Sequence, residues 1–283
     1  MDIFQRITEM RGYVNGVRAE GKRVGFVPTM GFLHVGHAAL MSTAREDTDR
    51  VVVSIFVNPL QFGPREDFRE YPRDLERDRR ICRDAGVHAL FLPEAGEMYP
   101  DGFATTVDVS GITDVLCGRS RPGHFRGVAT VVTKLLNIVQ PDRAYFGIKD
   151  AQQVAVIRRM VEDLNIPTSV MVHPTVREAD GLAVSSRNVY LGSEERQASP
   201  VIYRSLKLAE EAVRKGERNP ARLQRLLEAN ISAEPLARLD YAEVLNWPEL
   251  KPVEEIQPGR LLMAVAAFFG RARLIDNVLV EVE

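Results

Sequence analysis

Two histidines, His34 and His37, stand three residues apart in a segment that also holds Gly31 and Gly36. The segment follows a short apolar stretch and leads into a predicted helix. Glycine lets a backbone approach a phosphate closely, and the start of a helix presents unpaired N–H groups and a positive dipole end. Residues three apart share one face of a helix, so both imidazoles could donate hydrogen bonds to a phosphate as negative charge develops in a transition state. The segment therefore indicates chemistry at a phosphate.

This segment has two alternative explanations. It is neither a Walker A loop nor a GxGxxG motif, so a glycine-rich turn with incidental histidines stays open. A zinc site is the second alternative, but two histidines supply half of a ligand set and nothing nearby completes one. We therefore predict no metal site built from protein ligands.

Two amide side chains, Asn58 and Gln61, follow the next predicted strand. An amide donates and accepts hydrogen bonds without carrying charge, so it could hold a hydroxy acid without repelling the carboxylate. Ligands of an open α/β sheet bind beyond the carboxyl ends of its strands, where these two residues and His34 are expected to lie. A strand-end turn formed by Asn-Pro also explains Asn58.

A later junction between a strand and a helix holds Lys149, Asp150 and Gln153. The Lys149 ammonium could reach phosphate oxygens. Asp150 could accept a hydrogen bond from a ribose hydroxyl, or it could cap the helix, which is the commoner role. Gln153 lies one helical turn further on, on a face that could look into the site.

Two polar loops hold the remaining candidate site residues. The loop 119–127 is rich in arginine and could pair with a carboxylate or a phosphate, although a solvated loop before a helix also explains it. Ser185, Ser186 and Arg187 place two hydroxyls and a guanidinium in a row, which predicts a mobile phosphate clamp. Taken alone, such a loop is usually only solvated.

Strand-like and helix-like segments alternate in the first half of the chain. The strongest strand is 50–57, which is β-branched and apolar on both faces, as central parallel strands are. We predict strands over 24–27, 50–57, 89–92, 144–146 and 169–172, and helices over 37–44, 74–85, 128–139 and 150–164. This alternation predicts an α/β fold with a doubly wound parallel sheet of the Rossmann-like type.

The pattern changes after about residue 180. We predict a long helix over 193–216 with Ser193 as its N-cap, a second helix over 220–231, and strands over 240–245, 261–269 and 273–280. Consecutive strands without intervening helices predict a smaller α+β domain with an antiparallel sheet. The expected domains are therefore 1–176 and 177–283.

The composition is that of an ordinary globular chain, since 45% of the 283 residues are apolar and 27% are charged. The 37 basic and 39 acidic residues nearly balance, which argues against nucleic acid as a partner. The longest strongly apolar stretch, 261–269, is less than half of the roughly 20 residues that a membrane-spanning helix needs, and no signal-peptide core is present. With only Cys82 and Cys117 no disulfide framework is expected, and we predict a cytoplasmic protein.

The string VPTMGFLHVGH over residues 27–37 resembles the HxGH signature of the nucleotidyltransferase superfamily, which includes class I aminoacyl-tRNA synthetases. The whole string is more specifically similar to the pantoate–β-alanine ligase family, and later segments fit that family in order over nearly the whole chain. The resemblance implies a ligase that joins pantoate to β-alanine at the expense of ATP. It also implies Mg²⁺ accompanying ATP, and a homodimer as the assembly.

The resemblance assigns roles to residues of this chain. The implied catalytic residues are His34, His37, Lys149 and Arg187. The substrate-binding residues are Gln61 and Gln153, to which the strand-end position adds Asn58. The ATP-binding residues are Met30, Gly31, Phe32, Leu33, His34, Val35, Gly36, His37, Gly147, Ile148, Lys149, Asp150, Val176, Val184, Ser185, Ser186 and Arg187. Ile148 stands where the family usually has a polar residue, which weakens a role for its side chain and leaves its backbone available.

The implied mechanism has two steps. The pantoate carboxylate attacks the α-phosphate of ATP and releases pyrophosphate, and the amine of β-alanine then displaces AMP from pantoyl adenylate. The two imidazoles, Lys149 and the loop 185–188 are expected to converge on one ATP, with Asp74 and Asp78 as conceivable outer magnesium ligands. Three alternatives stay open: a nucleotidyltransferase acting on a phosphorylated substrate, a tRNA synthetase, and a non-catalytic nucleotide sensor.

Overall fold

The computed structural model describes residues 1–64 and 66–283, which divide into two compact units. The first unit comprises 1–111, 121–148 and 156–174. The second unit comprises 112–120, 149–155 and 175–283. The domain bounds 1–176 and 177–283 stay a prediction.

The first unit is built on a parallel sheet, which within the described residues has six strands in the order β1-β4-β3-β2-β5-β6. The strands are β1 (Asp2–Phe4), β2 (Val24–Thr29), β3 (Arg50–Ile55), β4 (Ala89–Phe91), β5 (Arg143–Gly147) and β6 (Ser169–His173). The order reverses between β2 and β5, as it does in doubly wound sheets. The predicted α/β class is confirmed.

The centre of this sheet is closed to solvent on both faces. Val51, Val52 and Val53 of β3 have no exposed surface, as their continuous apolar, β-branched pattern predicts. β2 and β3 are parallel neighbours in which Thr29 lies opposite Ile55. The segments that follow these two strands therefore begin at the same edge of the sheet.

Helices connect the successive strands from β1 to the start of the antiparallel sheet. They are α1 (Ile7–Ala19), α2 (Val35–Asp47), α3 (Leu75–Asp84), α4 (Ala95–Met98), α5 (Leu116–Ser120), α6 (His124–Val139), α7 (Ala151–Asp163), α8 (Ser193–Ala198), α9 (Val201–Arg214) and α10 (Pro220–Ser232). In the described part of the chain, no helix has both the length and the hydropathy needed to cross a membrane.

The second unit contains an antiparallel sheet, with three strands among the described residues in the order β7-β8-β9. These strands are β7 (Ala237–Asn246), β8 (Gly259–Phe269) and β9 (Ala272–Val282). Leu206 of α9, Leu227 of α10 and Met263 of β8 are fully buried in one hydrophobic cluster. The predicted small α+β fold with an antiparallel sheet is confirmed.

The predicted single helix over 193–216 is wrong, because the chain forms α8 and α9 with a break at Ser199 and Pro200. Proline has no N–H to continue the helical hydrogen bonds, and the Ser199 hydroxyl donates to the Arg196 carbonyl instead, at 3.0 Å. The predicted N-cap Ser193 is also wrong. The N-cap is Gly192, whose N–H donates to the Glu195 carboxylate at 2.9 Å.

Sequence patterns missed β1, the helices α1, α4 and α5, and the first turn of α6. β1 is a three-residue edge strand whose first two residues are exposed, so it carries no apolar alternation. Helix α6 begins at His124 rather than at Val128, since its first turn is formed by the polar end of the loop 119–127. The other predicted elements differ from the observed ones by a few residues at their ends.

Candidate active site

The turn between β2 and α2 carries the two histidines. It needs two consecutive left-handed residues, Gly31 at φ 82° and Phe32 at φ 49°. A Cβ on Gly31 would also lie only 2.8 Å from Ile55 Cγ2, so only glycine fits there. His34 is the N-cap of α2, and the ring centroids of His34 and His37 are 4.0 Å apart. The expectation that the imidazoles share one face is confirmed.

Both imidazoles take part in capping the helix. His34 Nδ1 accepts from the Gly36 N–H at 3.2 Å, and His37 Nδ1 accepts from the His34 N–H at 3.3 Å. A neutral imidazole accepts on one nitrogen and donates from the other. Both rings therefore carry their proton on Nε2, the tautomer that donates a hydrogen bond to a phosphate oxygen.

A buried carboxylate fixes the turn just before these histidines. Asp78 of α3 is 1% exposed, and its two oxygens accept from the N–H groups of Phe32 at 2.8 Å and Leu33 at 2.7 Å. Burial raises the pKa of the Asp78 carboxyl, and the two backbone hydrogen bonds partly oppose the rise. Asp78 is thus a structural element of the turn, which the sequence alone had not indicated.

The carboxylates considered as outer metal ligands have protein partners. Besides Asp78, Asp74 caps α3 by accepting from the Arg77 N–H at 3.0 Å. Across residues 1–64 and 66–283, no group of three or more histidine, cysteine, aspartate or glutamate residues could hold a metal ion.

In the segment after β3, the side-chain amide of Asn58 forms four hydrogen bonds within the protein. Its Nδ2 donates to Gln61 Oε1 at 3.1 Å and to the Gly127 carbonyl at 3.0 Å. Its Oδ1 accepts from the Tyr99 hydroxyl at 2.7 Å and the Leu60 N–H at 3.3 Å. These four bonds use the whole capacity of an amide, and Asn58 is 1% exposed. A direct contact of Asn58 with a substrate would require one of these bonds to break.

Gln61 lies beside the histidine turn. It closes the 3-10 turn Pro59–Gln61, and its Nε2 lies 2.8 Å from Met30 Sδ, a weak acceptor. The sequence prediction that the segments after β2 and β3 meet at one edge of the sheet is confirmed by this contact. With Oε1 bonded to Asn58, the Gln61 amide has a fixed orientation.

The backbone of Gln61 is held from the opposite side by the arginine-rich loop. Its carbonyl accepts from His124 Nδ1 at 2.9 Å and from Arg121 Nη2 at 3.3 Å. Arg121 also forms a two-pronged ion pair with Glu66, at 2.8 and 2.5 Å. Burial alone would raise the pKa of Glu66, but its bonds to Arg121 outweigh this and lower it. An arginine of this loop is therefore paired with a carboxylate of the chain itself.

Helix α6 contacts the same turn at Gly127. A Cβ on Gly127 would lie 2.3 Å from the Leu60 carbonyl oxygen and 2.6 Å from the Gln61 nitrogen. Backbone atoms cannot move aside as a flexible side chain can, so the helix and the turn touch only because residue 127 is glycine.

In the second unit, the candidate phosphate-binding residues also come together. Lys149, in the 3-10 turn Ile148–Asp150, lines a small pocket together with Ser185. Ser185 caps the 3-10 helix Ser186–Tyr190 by accepting from the Arg187 N–H at 3.3 Å. The predicted Ser-Ser-Arg loop is thus a short helical turn.

The remaining candidates have definite places. The Val184 N–H donates to the Val176 carbonyl at 3.0 Å, which joins two predicted nucleotide-binding residues in one hairpin. Gly147 ends β5, where it pairs with His173 of β6. Gln153 is half-buried in the first turn of α7.

Comparison with known proteins agrees with the resemblance carried by the HxGH string. A family model described as pantoate-beta-alanine ligase matches residues 2–279. A pantothenate synthetase of Heliobacterium modesticaldum is 58% identical over 282 residues, covering 100% of both chains. One of Geobacillus thermodenitrificans is 57% identical over 281 residues, covering 99% of this chain and 97% of the relative.

Solved structures of the same family superpose on this chain. The crystal structure of pantothenate synthetase from Thermus thermophilus gives a TM-score of 0.93 at 50% identity, covering 98% of this chain and 99% of that one. Pantoate-beta-alanine ligase from Francisella tularensis, complexed with beta-gamma ATP and beta-alanine, gives 0.82 at 36% identity, covering 99% and 97%. The chain therefore belongs to the pantoate–β-alanine ligase family and is an ATP-dependent ligase that makes pantothenate.

Proposed function

We propose that this ligase works in two half-reactions on ATP, pantoate and β-alanine. A pantoate carboxylate oxygen attacks the α-phosphorus of ATP, and the bond to the β-phosphate breaks to release pyrophosphate. The amine of β-alanine then attacks the carbonyl carbon of pantoyl adenylate, AMP leaves, and the amine loses a proton. No covalent bond to the enzyme is needed, so catalysis consists of positioning and charge stabilisation.

The observation that supports this proposal most strongly is the pair of Nε2 donors at His34 and His37. Since the Nδ1 atoms accept from backbone N–H groups, both rings carry the same kind of donor, an Nε2–H group, at the start of the helix. Two such donors can stabilise charge that develops on phosphate oxygens. His37 can also pass its Nε2 proton to the leaving group.

The nucleotide is assigned to two further sets of residues. The first set surrounds the nucleotide, with Asp150 as a candidate acceptor for a ribose hydroxyl, and comprises Met30, Gly31, Phe32, Leu33, Val35, Gly36, Gly147, Ile148, Asp150, Val176 and Val184. Lys149, Ser185, Ser186 and Arg187 are proposed to bind the phosphates through their side chains, and the proximity of Lys149 to Ser185, which line one small pocket, supports this. We propose that Mg²⁺ would arrive with ATP and would supply positive charge at the phosphates, and that the enzyme is a homodimer.

The acid is assigned to Gln61 and Gln153. An amide suits pantoate because it binds hydroxyl and carboxylate oxygens and carries no charge. We assign Asn58 a positioning role, because its four hydrogen bonds fix the Gln61 amide and leave it fully occupied. The ATP and β-alanine bound by the Francisella tularensis relative support the choice of the other two substrates.

The order of the half-reactions can be tested with the wild-type enzyme. Mixed with ATP, Mg²⁺ and pantoate but no β-alanine, it should release one equivalent of pyrophosphate per active site, measured by quenched flow. Adding β-alanine should then release AMP and form the amide. Pyrophosphate that appears only after β-alanine is added would contradict an adenylate formed first. Transfer of AMP to a phosphorylated acceptor would instead favour the nucleotidyltransferase alternative.

The packing of Gly127 gives a prediction for the acid site. In Gly127→Ala the new methyl group must displace the Leu60–Gln61 backbone, so the KM for pantoate should rise roughly 10-fold or more. Overpacking should also cost about 1–3 kcal/mol of stability, measured by denaturant unfolding. Gly12→Ala in α1 is the matched control, since nothing lies within 4 Å of its added Cβ. Equal KM values for pantoate in the two variants would refute the packing argument.

A further inference from the structure

Strand β9 places two polar residues, Asp276 and Asn277, next to each other in the second unit. They are 4% and 6% exposed, although the surrounding strand is largely apolar. Burying an amide and a carboxylate costs free energy unless both find partners. Both partners lie outside the three-stranded sheet: one is Lys149, and the other is Arg177, in the segment that leads to Ser185.

Asn277 is bonded to the main chain of Lys149. Its Nδ2 donates to the Lys149 carbonyl at 2.8 Å. This bond fixes the peptide plane between Lys149 and Asp150, and therefore the direction in which the Lys149 side chain leaves the 3-10 turn. The lysine ammonium lies at the end of a flexible four-carbon stem, so the main chain from which the stem leaves must be held if the charge is to act at one place.

Asn277 is itself held by an ion pair. The Asn277 N–H donates to Asp276 Oδ1 at 2.8 Å. Asp276 is bonded in two-pronged fashion to Arg177, at 2.5 and 3.0 Å. The Arg177 guanidinium also lies 3.7 Å from the ring centroid of Tyr203. A continuous chain of contacts thus runs from Tyr203 through Arg177 and Asp276 to the main-chain N–H of Asn277.

The same network reaches the segment before Ser185. Arg177 Nη1 donates to the Gly181 carbonyl at 3.1 Å, and Arg177 pairs with Ala183 as an isolated β-bridge. Asp276 lines the small pocket that Lys149 and Ser185 share. The carboxylate therefore lies beside both phosphate-binding candidates while its charge is matched by Arg177.

We propose that Asn277 is a positioning residue for Lys149 in adenylate formation, acting through the main-chain carbonyl of the lysine. The inference rests on the proposed role of Lys149 at the ATP phosphates. Asn277 touches no substrate in this scheme. Its loss should impair ATP use and leave the binding of pantoate and β-alanine unchanged.

The test measures pyrophosphate release from ATP and pantoate by the full-length enzyme. Asn277→Leu, which keeps the size but removes the donor, should slow release roughly 10- to 100-fold and raise the KM for ATP, with the KM for pantoate unchanged. Asn277→Gln, which keeps an amide N–H, should recover part of the rate and serves if the leucine variant does not fold. Asn230→Leu is the control, because it removes a similar amide bond, 2.8 Å from Nδ2 to the Leu226 carbonyl, in α10.

A double-mutant cycle with Lys149→Ala separates positioning from general damage. If Asn277 acts through Lys149, the double variant should be no slower than Lys149→Ala alone. Losses that multiply would overturn the inference, as would an Asn277→Gln variant no faster than Asn277→Leu. Normal release by Lys149→Ala would contradict the proposed function and the inference with it. A defective Lys149→Ala beside a normal Asn277→Leu would contradict the inference alone.

Discussion

Replacing His37 with alanine should lower the rate of pyrophosphate release from ATP and pantoate about 100- to 1,000-fold, the usual cost of losing one preorganised donor. The expectation follows from the protonated Nε2, which is fixed because Nδ1 accepts from the His34 N–H. The measurement is a single-turnover assay at saturating ATP. Circular dichroism and thermal unfolding should show that the fold is retained, since the ring is half-buried in the first turn of α2.

Two amide replacements distinguish catalysis by His37 from its capping role. Glutamine places an N–H group near the position of Nε2, whereas asparagine places its amide near Nδ1 and can restore the cap. If donation to the phosphate is the function, His37→Gln should be faster than His37→Asn. The reverse order would show that the ring acts only through helix capping, and the assigned catalytic role would then be wrong.

Removing the ammonium of Lys149 should have an effect of similar size on the first half-reaction. Lys149→Met keeps most of the stem and should slow adenylate formation about 100- to 1,000-fold, because the charge on the departing pyrophosphate loses a cation. The KM for ATP should rise as well. Lys149→Arg should recover part of the rate, since it keeps the charge but not its compact shape.

In the second half-reaction, the loss of the Lys149 ammonium should have a much smaller effect. Once pyrophosphate has left, β-alanine attacks a carbonyl carbon and AMP departs, so the lysine has less charge to stabilise. Supplied with pantoyl adenylate and β-alanine, Lys149→Met should form pantothenate at a rate within about 10-fold of the wild type. If the rates of both half-reactions fell equally, the ammonium would not act at the β- and γ-phosphates, and its assigned role would be wrong.

Much of the fold could be predicted because its strongest signals are local. The β-branched run of β3 and the alternation of strands with helices were sufficient for the parallel sheet. The break at Pro200 was also visible in the sequence, since proline cannot donate within a helix, and the continuous helix was predicted against that signal. Strand β1 has no comparable signal, because its three residues owe their conformation to pairing with β4.

For the candidate site too, the sequence predicted some features and could not predict others. The spacing of His34 and His37 indicated a shared face, and the strand-end positions of Asn58 and Gln61 indicated a shared edge. That these groups and Lys149 act on one ATP stays a prediction. The protonated nitrogen of each ring depends on two backbone contacts, which no sequence pattern specifies.

The supporting residues could not be predicted because their partners are distant in sequence. Asp78 bonds backbone groups more than forty residues away, and Gly127 packs against Leu60. Asn277 offered a weak signal, as an adjacent acidic and amide pair within an apolar strand. Buried polar residues of this kind need partners, but the sequence does not say which ones.

The contact between Gly127 and the Leu60–Gln61 turn limits how the substrate range of this enzyme can be altered. Moving the first turn of α6 away from Gln61, the proposed contact of the acid, to make room for a bulkier hydroxy acid would carry away the carbonyl that Asn58 Nδ2 bonds, and the Gln61 amide would lose its orientation. Engineering for larger acids should therefore trim side chains and leave this backbone contact in place.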